Sequence, residues 1–181
     1  MTKRLLVSLS LVTLSAACVG GAAQSGPAVT DASGAEVPTG LTADDRAEIL
    51  DLAGRYSHGI DLGDTAAWAG VFTDDGVMEL VTQGIENTGD ALHLMAAGNR
   101  DPSGPQSRHI PTTFLIEGAG NEATMRSYVT VIGTGEDAHV VFQGRYEDRL
   151  RRVDGQWRIA HRRILTDWIE PAVAEALAAS R

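Results

Sequence analysis

Apolar residues recur at helical spacing over residues 49–60, and the positions are Ile49, Leu52, Ala53, Tyr56 and Ile60. Thr42 precedes this stripe and is followed three residues later by Asp45, the arrangement of a capping box at the start of a helix. The pattern predicts a first helix with Tyr56 on its buried side. His58 lies about 200° further round the helix and is predicted to face outward.

Shorter elements follow this helix. A second short helix, which Asp64 can cap, is predicted around Trp68. Residues 73–76 read Thr-Asp-Asp-Gly, a turn composition, and they lead into a predicted strand at 77–81. A third helix is predicted to begin near residues 88–90 and to end before a polar loop.

The second half of the chain is predicted to consist of consecutive strands. Alternating apolar and polar positions, broken by glycine-rich turns, predict strands at about 107–117, 122–133, 138–153 and 156–168. The Asp154-Gly155 pair is a strong signal for a two-residue hairpin between the last two strands. Helices first and an antiparallel meander afterwards predict an α+β fold.

The first forty residues differ in composition from the rest. Residues 1–17 combine a basic start with a short apolar run and small residues, which predicts a secretory signal peptide. Small residues precede Cys18, the only cysteine, so either a lipoprotein signal with a lipid on Cys18 or ordinary cleavage a few residues later is expected. The predicted location is the periplasm, with a membrane contact only through that lipid.

Residues 18–40 are rich in glycine, alanine, serine and proline and predict a flexible tether. The remaining chain suits one domain at 41–170, followed by a helical tail at 171–181. A single cysteine allows no internal disulfide.

Charge narrows the classes of partner. The chain carries 15 basic and 24 acidic residues, a formal net charge of −9, which disfavours nucleic acid as a partner. Basic residues nevertheless cluster near the end of the chain: Arg145, Arg149, Arg151, Arg152, Arg158, Arg162 and Arg163. Because neighbouring strands place them beside acids such as Glu147 and Asp148, a cross-strand ion-pair network is the preferred interpretation.

Candidate chemistry rests on three side chains: Tyr56, Asp61 and His109. A hydroxyl, a carboxylate and an imidazole suffice for proton transfer without a cofactor. Asp61 lies about one and a half helical turns beyond Tyr56, so both can point beneath the sheet, and a carboxylate there can hold an imidazole in one tautomer. The alternatives are a surface pair between Asp61 and His58, and a purely structural His109.

The facing of His109 is a difficulty for this hypothesis. Strict alternation groups it with Leu115 and opposite Ile116, so His109 and the apolar Ile116 would face opposite ways. Pro111 lacks an amide hydrogen, and a bulge is therefore predicted near it.

Other candidates are assigned structural roles. His161 on the last strand is expected to be structural or superficial, because no orienting acid is apparent nearby. Asp74 and Asp75 precede a glycine and are assigned to a turn. No spacing of ligand residues indicates a metal and no glycine-rich turn indicates a nucleotide, so no cofactor is expected.

The blocks at 41–61, 68–80, 107–113 and 144–163 together resemble the SnoaL-like branch of the nuclear-transport-factor-2-like superfamily, over residues 41–170. The resemblance implies a cone-shaped, curved antiparallel sheet wrapped around three N-terminal helices, with a pocket at the open end. In SnoaL-like dehydratases of the scytalone and bile acid type, an aspartate and a histidine pair at the positions of Asp61 and His109, with a tyrosine at the position of Tyr56.

The resemblance therefore implies a lyase, a dehydratase above all, or an isomerase acting on a small apolar molecule that carries a hydroxyl or carbonyl group. The bile acid dehydratase pattern also has a second tyrosine on the first strand and a further carboxylate near residues 128–132, and this chain has neither there. The alternative class is a non-catalytic module that binds a ligand or a partner on the same fold.

Assembly is the last expectation. Strands 138–153 and 156–168 carry apolar residues on both faces, among them Val141, Trp157 and Trp168. A homodimer through the outer face of the sheet is predicted from this surplus, and superfamily members commonly pair in this way.

Overall fold

The computed structural model describes residues 40–89, 91–92 and 106–179 of the chain. Helix α1 spans Ala43–Leu62 and begins as predicted: the Asp45 amide donates to the Thr42 hydroxyl at 3.1 Å, and the Thr42 amide donates to the Asp45 carboxylate at 2.9 Å. The helix ends at Gly63, whose φ of 68° gives the left-handed conformation that glycine adopts without strain.

Helix α2 spans Thr65–Ala69, and the Asp64 side chain caps it by accepting from the Ala67 amide at 3.0 Å. It packs directly on α1 at Gly59. A β-carbon added to Gly59 would lie 2.8 Å from the Trp68 β-carbon and 2.9 Å from its α-carbon. The absence of a side chain there lets the two helices touch, and Trp68 is fully buried as a result.

In the part of the chain that the structure describes, six strands form one curved sheet in the spatial order β2-β1-β6-β5-β4-β3. Their bounds are β1 Phe72–Leu80, β2 Ile85–Thr88, β3 Ser107–Ala119, β4 Glu122–Gly133, β5 His139–Val153 and β6 Gln156–Ile169. The antiparallel meander from β3 to β6 and the α+β class are confirmed. The sheet is not antiparallel throughout, because β1 runs parallel to β6, with Val77 opposite His161.

The region between α2 and β3 differs from expectation. Residues 73–76 belong to β1 rather than to a turn, and the register with β6 is irregular between Phe72 and Val77. Strand β2 was not predicted. Residues 91–92 are helical, while the remainder of the predicted third helix lies outside the described residues.

One face of the sheet packs on α1 and forms the core, and the other face points outward. Trp157 belongs to the core: its indole N–H donates to Asp45 at 3.0 Å and the side chain is buried. The expectation that Trp157 adds apolar surface to the outer face is therefore wrong. Trp168 is 45% exposed.

A helix α3 spans Pro171–Ala179 at the end of the described chain. No helix in the described residues is long and apolar enough to cross a membrane. The predicted signal peptide, Cys18 and almost all of the tether lie outside the described residues.

The arginine cluster forms the expected network of ion pairs. Its contacts include Arg163 with Glu147 at 2.7 Å on the outer face and Arg152 with Asp45 at 2.8 Å. Arg162 differs from the other arginines in its location, because it is buried on the inner face of the sheet, where it pairs with Asp148.

Candidate active site

Asp61 and His109 are held together by two contacts. The His109 Nδ1 atom lies 2.6 Å from Asp61 Oδ1, and the backbone N–H of His109 donates to Asp61 Oδ2 at 2.9 Å. The His109 side chain is 15% exposed and the Asp61 side chain is 8% exposed. Both carboxylate oxygens are therefore used to fix one residue. His58 is exposed on the far side of α1, as predicted, so the surface pair between Asp61 and His58 is not formed.

A bulge in β3 places His109 on the inner face of the sheet, the face that packs on α1. Thr112 pairs with Tyr128 but Leu115 pairs with Arg126, so β3 uses one more residue than β4 over this stretch, and Thr113 has a φ of 56°. The extra residue reverses the alternation beyond it. His109 and the buried Ile116 therefore share the inner face, which strict alternation forbids. The bulge lies just beyond Pro111, close to the predicted place.

Tyr56 lies beside the pair on the floor of the fold. Its side chain is 1% exposed, its hydroxyl donates to the Met78 sulfur at 3.8 Å, and its ring stands edge-on to the His109 ring at a centroid distance of 6.4 Å. Burial raises the pKa of Tyr56. The hydroxyl therefore keeps its proton at neutral pH and is available as a donor.

Three further residues complete a buried polar cluster that the sequence analysis did not assign: Tyr146, Asp148 and Arg162. The Arg162 guanidinium is sandwiched between two rings, with its central carbon 4.0 Å from the Tyr56 centroid and 4.1 Å from the Tyr146 centroid. It donates twice to Asp148, at 2.8 and 2.7 Å. Burial alone would lower the pKa of Arg162, but the Asp148 carboxylate overcomes this and raises it.

A sequence signal existed for two of them. Tyr146, Asp148 and Leu150 alternate at period two and share one face with the core, whereas Arg162 was grouped with its exposed neighbours. Arg162 faces inward because β6 carries an extra residue between Ile159 and His161, where the pairing with β5 shifts. No periodicity in the sequence reveals that shift.

Two buried donors next to Tyr56 have no acceptor among the described residues: Arg162 Nη1 and the indole nitrogen of Trp68. The Trp68 ring lies 5.6 Å from the Tyr56 ring. Buried polar groups are nearly always hydrogen-bonded, so each of these two donors is a candidate to bind an oxygen atom of a ligand.

The remaining sequence candidates lie away from this cluster. His161 has an acid nearby after all: Glu79 Oε2 lies 3.4 Å from His161 Nε2, on the outer face of the sheet. The expectation that nothing there could orient the imidazole is therefore wrong. Asp75 pairs with Arg151 within the outer face of the sheet. His139 accompanies Glu170 at 3.3 Å.

Two open grooves, of about 750 and 550 Å³, lie on the outer face of the sheet and touch none of Tyr56, Asp61 and His109. The size of a concavity is thus a poor guide to the reactive groups here. We place the candidate site at the buried cluster, because proton transfer depends on hydrogen-bonded titratable groups rather than on volume.

Comparison with known proteins agrees with this architecture. A sequence profile of the SnoaL-like domain matches residues 41–163. A protein of unknown function from Mycobacterium tuberculosis is 32% identical, with a TM-score of 0.67, 75% of this chain covered and 85% of that one. A cystatin-like-fold protein of unknown function from Nostoc punctiforme is 30% identical, with a TM-score of 0.65, 73% of this chain covered and 98% of that one.

A proposed scytalone dehydratase from Novosphingobium aromaticivorans shares the fold, with a TM-score of 0.60 at 23% identity, 70% of this chain covered and 87% of that one. No curated protein sequence matches this chain significantly.

Proposed function

This chain belongs to the SnoaL-like domain family, and we propose that it is a cofactor-independent lyase of the dehydratase type, or an isomerase. Its substrate would be a small apolar molecule that carries a hydroxyl or carbonyl group. The observation that carries the proposal is the 2.6 Å contact between His109 Nδ1 and Asp61 Oδ1.

That contact defines the tautomer of His109. A carboxylate accepts, so Nδ1 carries the hydrogen and Nε2 keeps a lone pair. Among the described residues nothing hydrogen-bonds Nε2, and this atom is free to take a proton from a substrate. Asp61 then stabilises the positive imidazolium that forms, because its charge lies within hydrogen-bond distance.

The second half of the chemistry needs donors for developing negative charge. We assign this role to the Tyr56 hydroxyl, assisted by Arg162 Nη1, which is buried and unused by described residues. Removal of a proton next to a carbonyl group moves the electron pair towards the carbonyl oxygen, which these donors would bind. The same electron pair then forms a carbon–carbon double bond, and hydroxide leaves the neighbouring carbon. The imidazolium of His109 gives its proton to this hydroxide, which departs as water.

The side chains packed around the cluster are apolar and favour an apolar substrate. Trp68 and Met78 are fully buried beside Tyr56, and the Phe72 ring lies 6.2 Å from the Tyr56 ring. A structural neighbour with the same fold bears the name of a proposed scytalone dehydratase, and on that ground we favour elimination of water as the reaction to test first.

The experiment begins without a known substrate. Hydroxylated and carbonyl-bearing apolar compounds are screened for thermal stabilisation of the protein, since a ligand that binds only the folded state raises the melting temperature. Stabilising compounds are then assayed for loss of water by mass spectrometry. Turnover by the wild type that falls roughly 10²-fold or more in Asp61→Asn and in His109→Ala is expected for a general base and its partner.

A matched control is His58→Ala, which removes an exposed histidine from the same helix and should leave turnover unchanged. Unaltered rates in both Asp61→Asn and His109→Ala would contradict the role of His109 as the general base. Saturable binding without turnover of any compound would instead identify a binding module on this fold.

We also propose that the mature protein is exported and begins at a lipid-modified Cys18, which the small residues before it and the tether after it support. Mass spectrometry of the mature N-terminus is the test. An unmodified N-terminus a few residues after Cys18 would contradict the lipid modification but would still be consistent with export.

A further inference from the structure

Arg149 stands in the middle of the outer face of the sheet and differs from the arginines around it. The neighbours each bind an acid or another oxygen: Arg126 with Glu117 at 3.7 Å, Arg145 with Asp167 at 3.4 Å, Arg163 with Glu147 at 2.7 Å, Arg151 with Asp75, and Arg158 with the Gly70 carbonyl at 2.7 Å. Within the described residues, the single acceptor of Arg149 is a nitrogen, His161 Nδ1, at 2.8 Å.

That contact holds the guanidinium in place without neutralising it. Arginine is always protonated, so Arg149 donates and His161 Nδ1 accepts, which puts the ring hydrogen on Nε2. Nε2 faces Glu79 Oε2 at 3.4 Å, too poorly aligned for a hydrogen bond but close enough for attraction. One terminal N–H of Arg149 is used in this way, and the rest of its donor fork remains available.

The space in front of Arg149 is concave. The two outer grooves, of about 750 and 550 Å³, meet at Arg149 and share Thr124 and Glu117. Small residues give the larger groove its depth: Gly118, Ala119, Ala123 and Ala160. Gly118 cannot carry a side chain, because an added β-carbon would lie 2.4 Å from the Glu122 carbonyl oxygen.

The charge of the groove selects among anions. Glu117 pairs with Arg126 and Asp75 pairs with Arg151, whereas Glu122 has no arginine partner among the described residues. Arg149 is the arginine of the grooves that no carboxylate in the described residues pairs with. A single guanidinium matches one carboxylate through two parallel hydrogen bonds. The formal charge of −9 on the whole chain works against ligands with several negative charges. Val77 and Ala160 offer an apolar surface for the rest of the molecule.

We propose that this groove is a second binding site, separate from the buried cluster, for a monocarboxylate with a short apolar tail. The carboxylate binds the free edge of Arg149 and the tail lies along Val77, Ala119 and Ala160. The site is open to solvent on the outer face, so it binds ligand independently of the His109 chemistry.

The test is an NMR titration of the full chain with hexanoate, with 1-hexanol as the neutral control. Saturable shifts of backbone amides are expected at Thr124, Arg149 and His161. Arg149→Gln should weaken hexanoate binding by about 10-fold or more, the scale of a lost charge-assisted hydrogen bond. Arg145→Gln is the matched control, because Arg145 lies on the same strand and face but is paired with Asp167.

Equal hexanoate affinity in wild type and Arg149→Gln, or equal binding of 1-hexanol, would overturn the proposal. So would shifts confined to the surroundings of Asp61 and His109, which would place the carboxylate in the buried cluster instead. Absence of any saturable shift, as when a second copy of the chain covers the groove, would overturn it as well.

Discussion

Arg162 and Asp148 form a bidentate ion pair that the fold seals from solvent, with side chains 1% and 0% exposed. Stacking between two tyrosine rings fixes the plane of the guanidinium, and the pair in turn fixes those rings. The floor of the candidate site is therefore a rigid polar layer, in which the position of the Tyr56 hydroxyl depends on two neighbouring strands.

Asp148→Asn should cost about 3–5 kcal/mol of unfolding free energy, because it leaves a buried guanidinium without a counter-charge. Urea unfolding followed by circular dichroism measures the loss. Asp167→Asn breaks an exposed pair with Arg145 and should cost no more than about 1 kcal/mol. Similar losses in the two variants would mean that solvent reaches the buried pair.

Gly59→Ala should lower the unfolding free energy by about 1–3 kcal/mol, since its new methyl group meets the Trp68 backbone and α2 has to shift. Gly54→Ala is the matched control on the same helix. A β-carbon there meets nothing within 4 Å, and the better helix propensity of alanine should add up to about 1 kcal/mol. A Gly59→Ala variant as stable as wild type would show that the two helices are less closely packed.

Asp45 should make stability depend on pH below 4. Hydrogen bonds from the Thr42 side chain and backbone, and then from Trp157, lower the pKa of Asp45 from 3.8 to about 2. A group with a depressed pKa stabilises the fold above its unfolded pKa, and this contribution is lost as the pH falls from about 4 to about 2.

Asp45→Asn should therefore be less stable than wild type at pH 7, and the difference should shrink towards pH 2. Urea unfolding at pH 7, 4 and 2 measures it. Asp44→Asn removes an exposed acid from the same helical turn and controls for the charge at the helix start. A difference from wild type that stays constant between pH 7 and pH 2 would contradict the assigned role of Asp45.

Tyr56→Phe should reduce turnover of a substrate less than Asp61→Asn does. The change deletes one hydroxyl and leaves Arg162 Nη1 as a second donor, so the loss should stay below the roughly 10²-fold, about 2.7 kcal/mol, expected for Asp61→Asn. The Michaelis constant should change little, because the donor acts in the transition state. Steady-state kinetics separate the two effects. A raised Michaelis constant with unchanged turnover would make Tyr56 a binding residue.

Trp168→Ser should dissociate a homodimer that pairs through the outer face. Ile110, Tyr128 and Trp168 are large, exposed apolar residues on β3, β4 and β6 of this face. Along the strands, Ile110 and Trp168 lie about 20 Å and Tyr128 about 13 Å from the level of Arg149. Sedimentation of wild type, Trp168→Ser and the exposed control Leu62→Ser is the measurement. A monomeric wild type at micromolar concentration would contradict the dimer.

The sequence by itself determined the helix start at Thr42 and the order of helices and meander, and it indicated Tyr56, Asp61 and His109 as candidate site residues. These features depend on local hydrogen bonding, on hydrophobic periodicity and on short motifs, which a linear chain displays directly. The inward alternation of Tyr146 and Asp148 was also present in the sequence.

The tertiary structure alone decided the rest. A single extra residue near Thr113 reverses the facing of His109, and another near Ala160 turns Arg162 inward and His161 outward. Bulges arise where two strands with different curvature must stay paired, so their positions depend on the partner strand and not on the segment itself. The parallel contact of β1 with β6, which brings Glu79 to His161, joins residues far apart in the chain and has no local signature either.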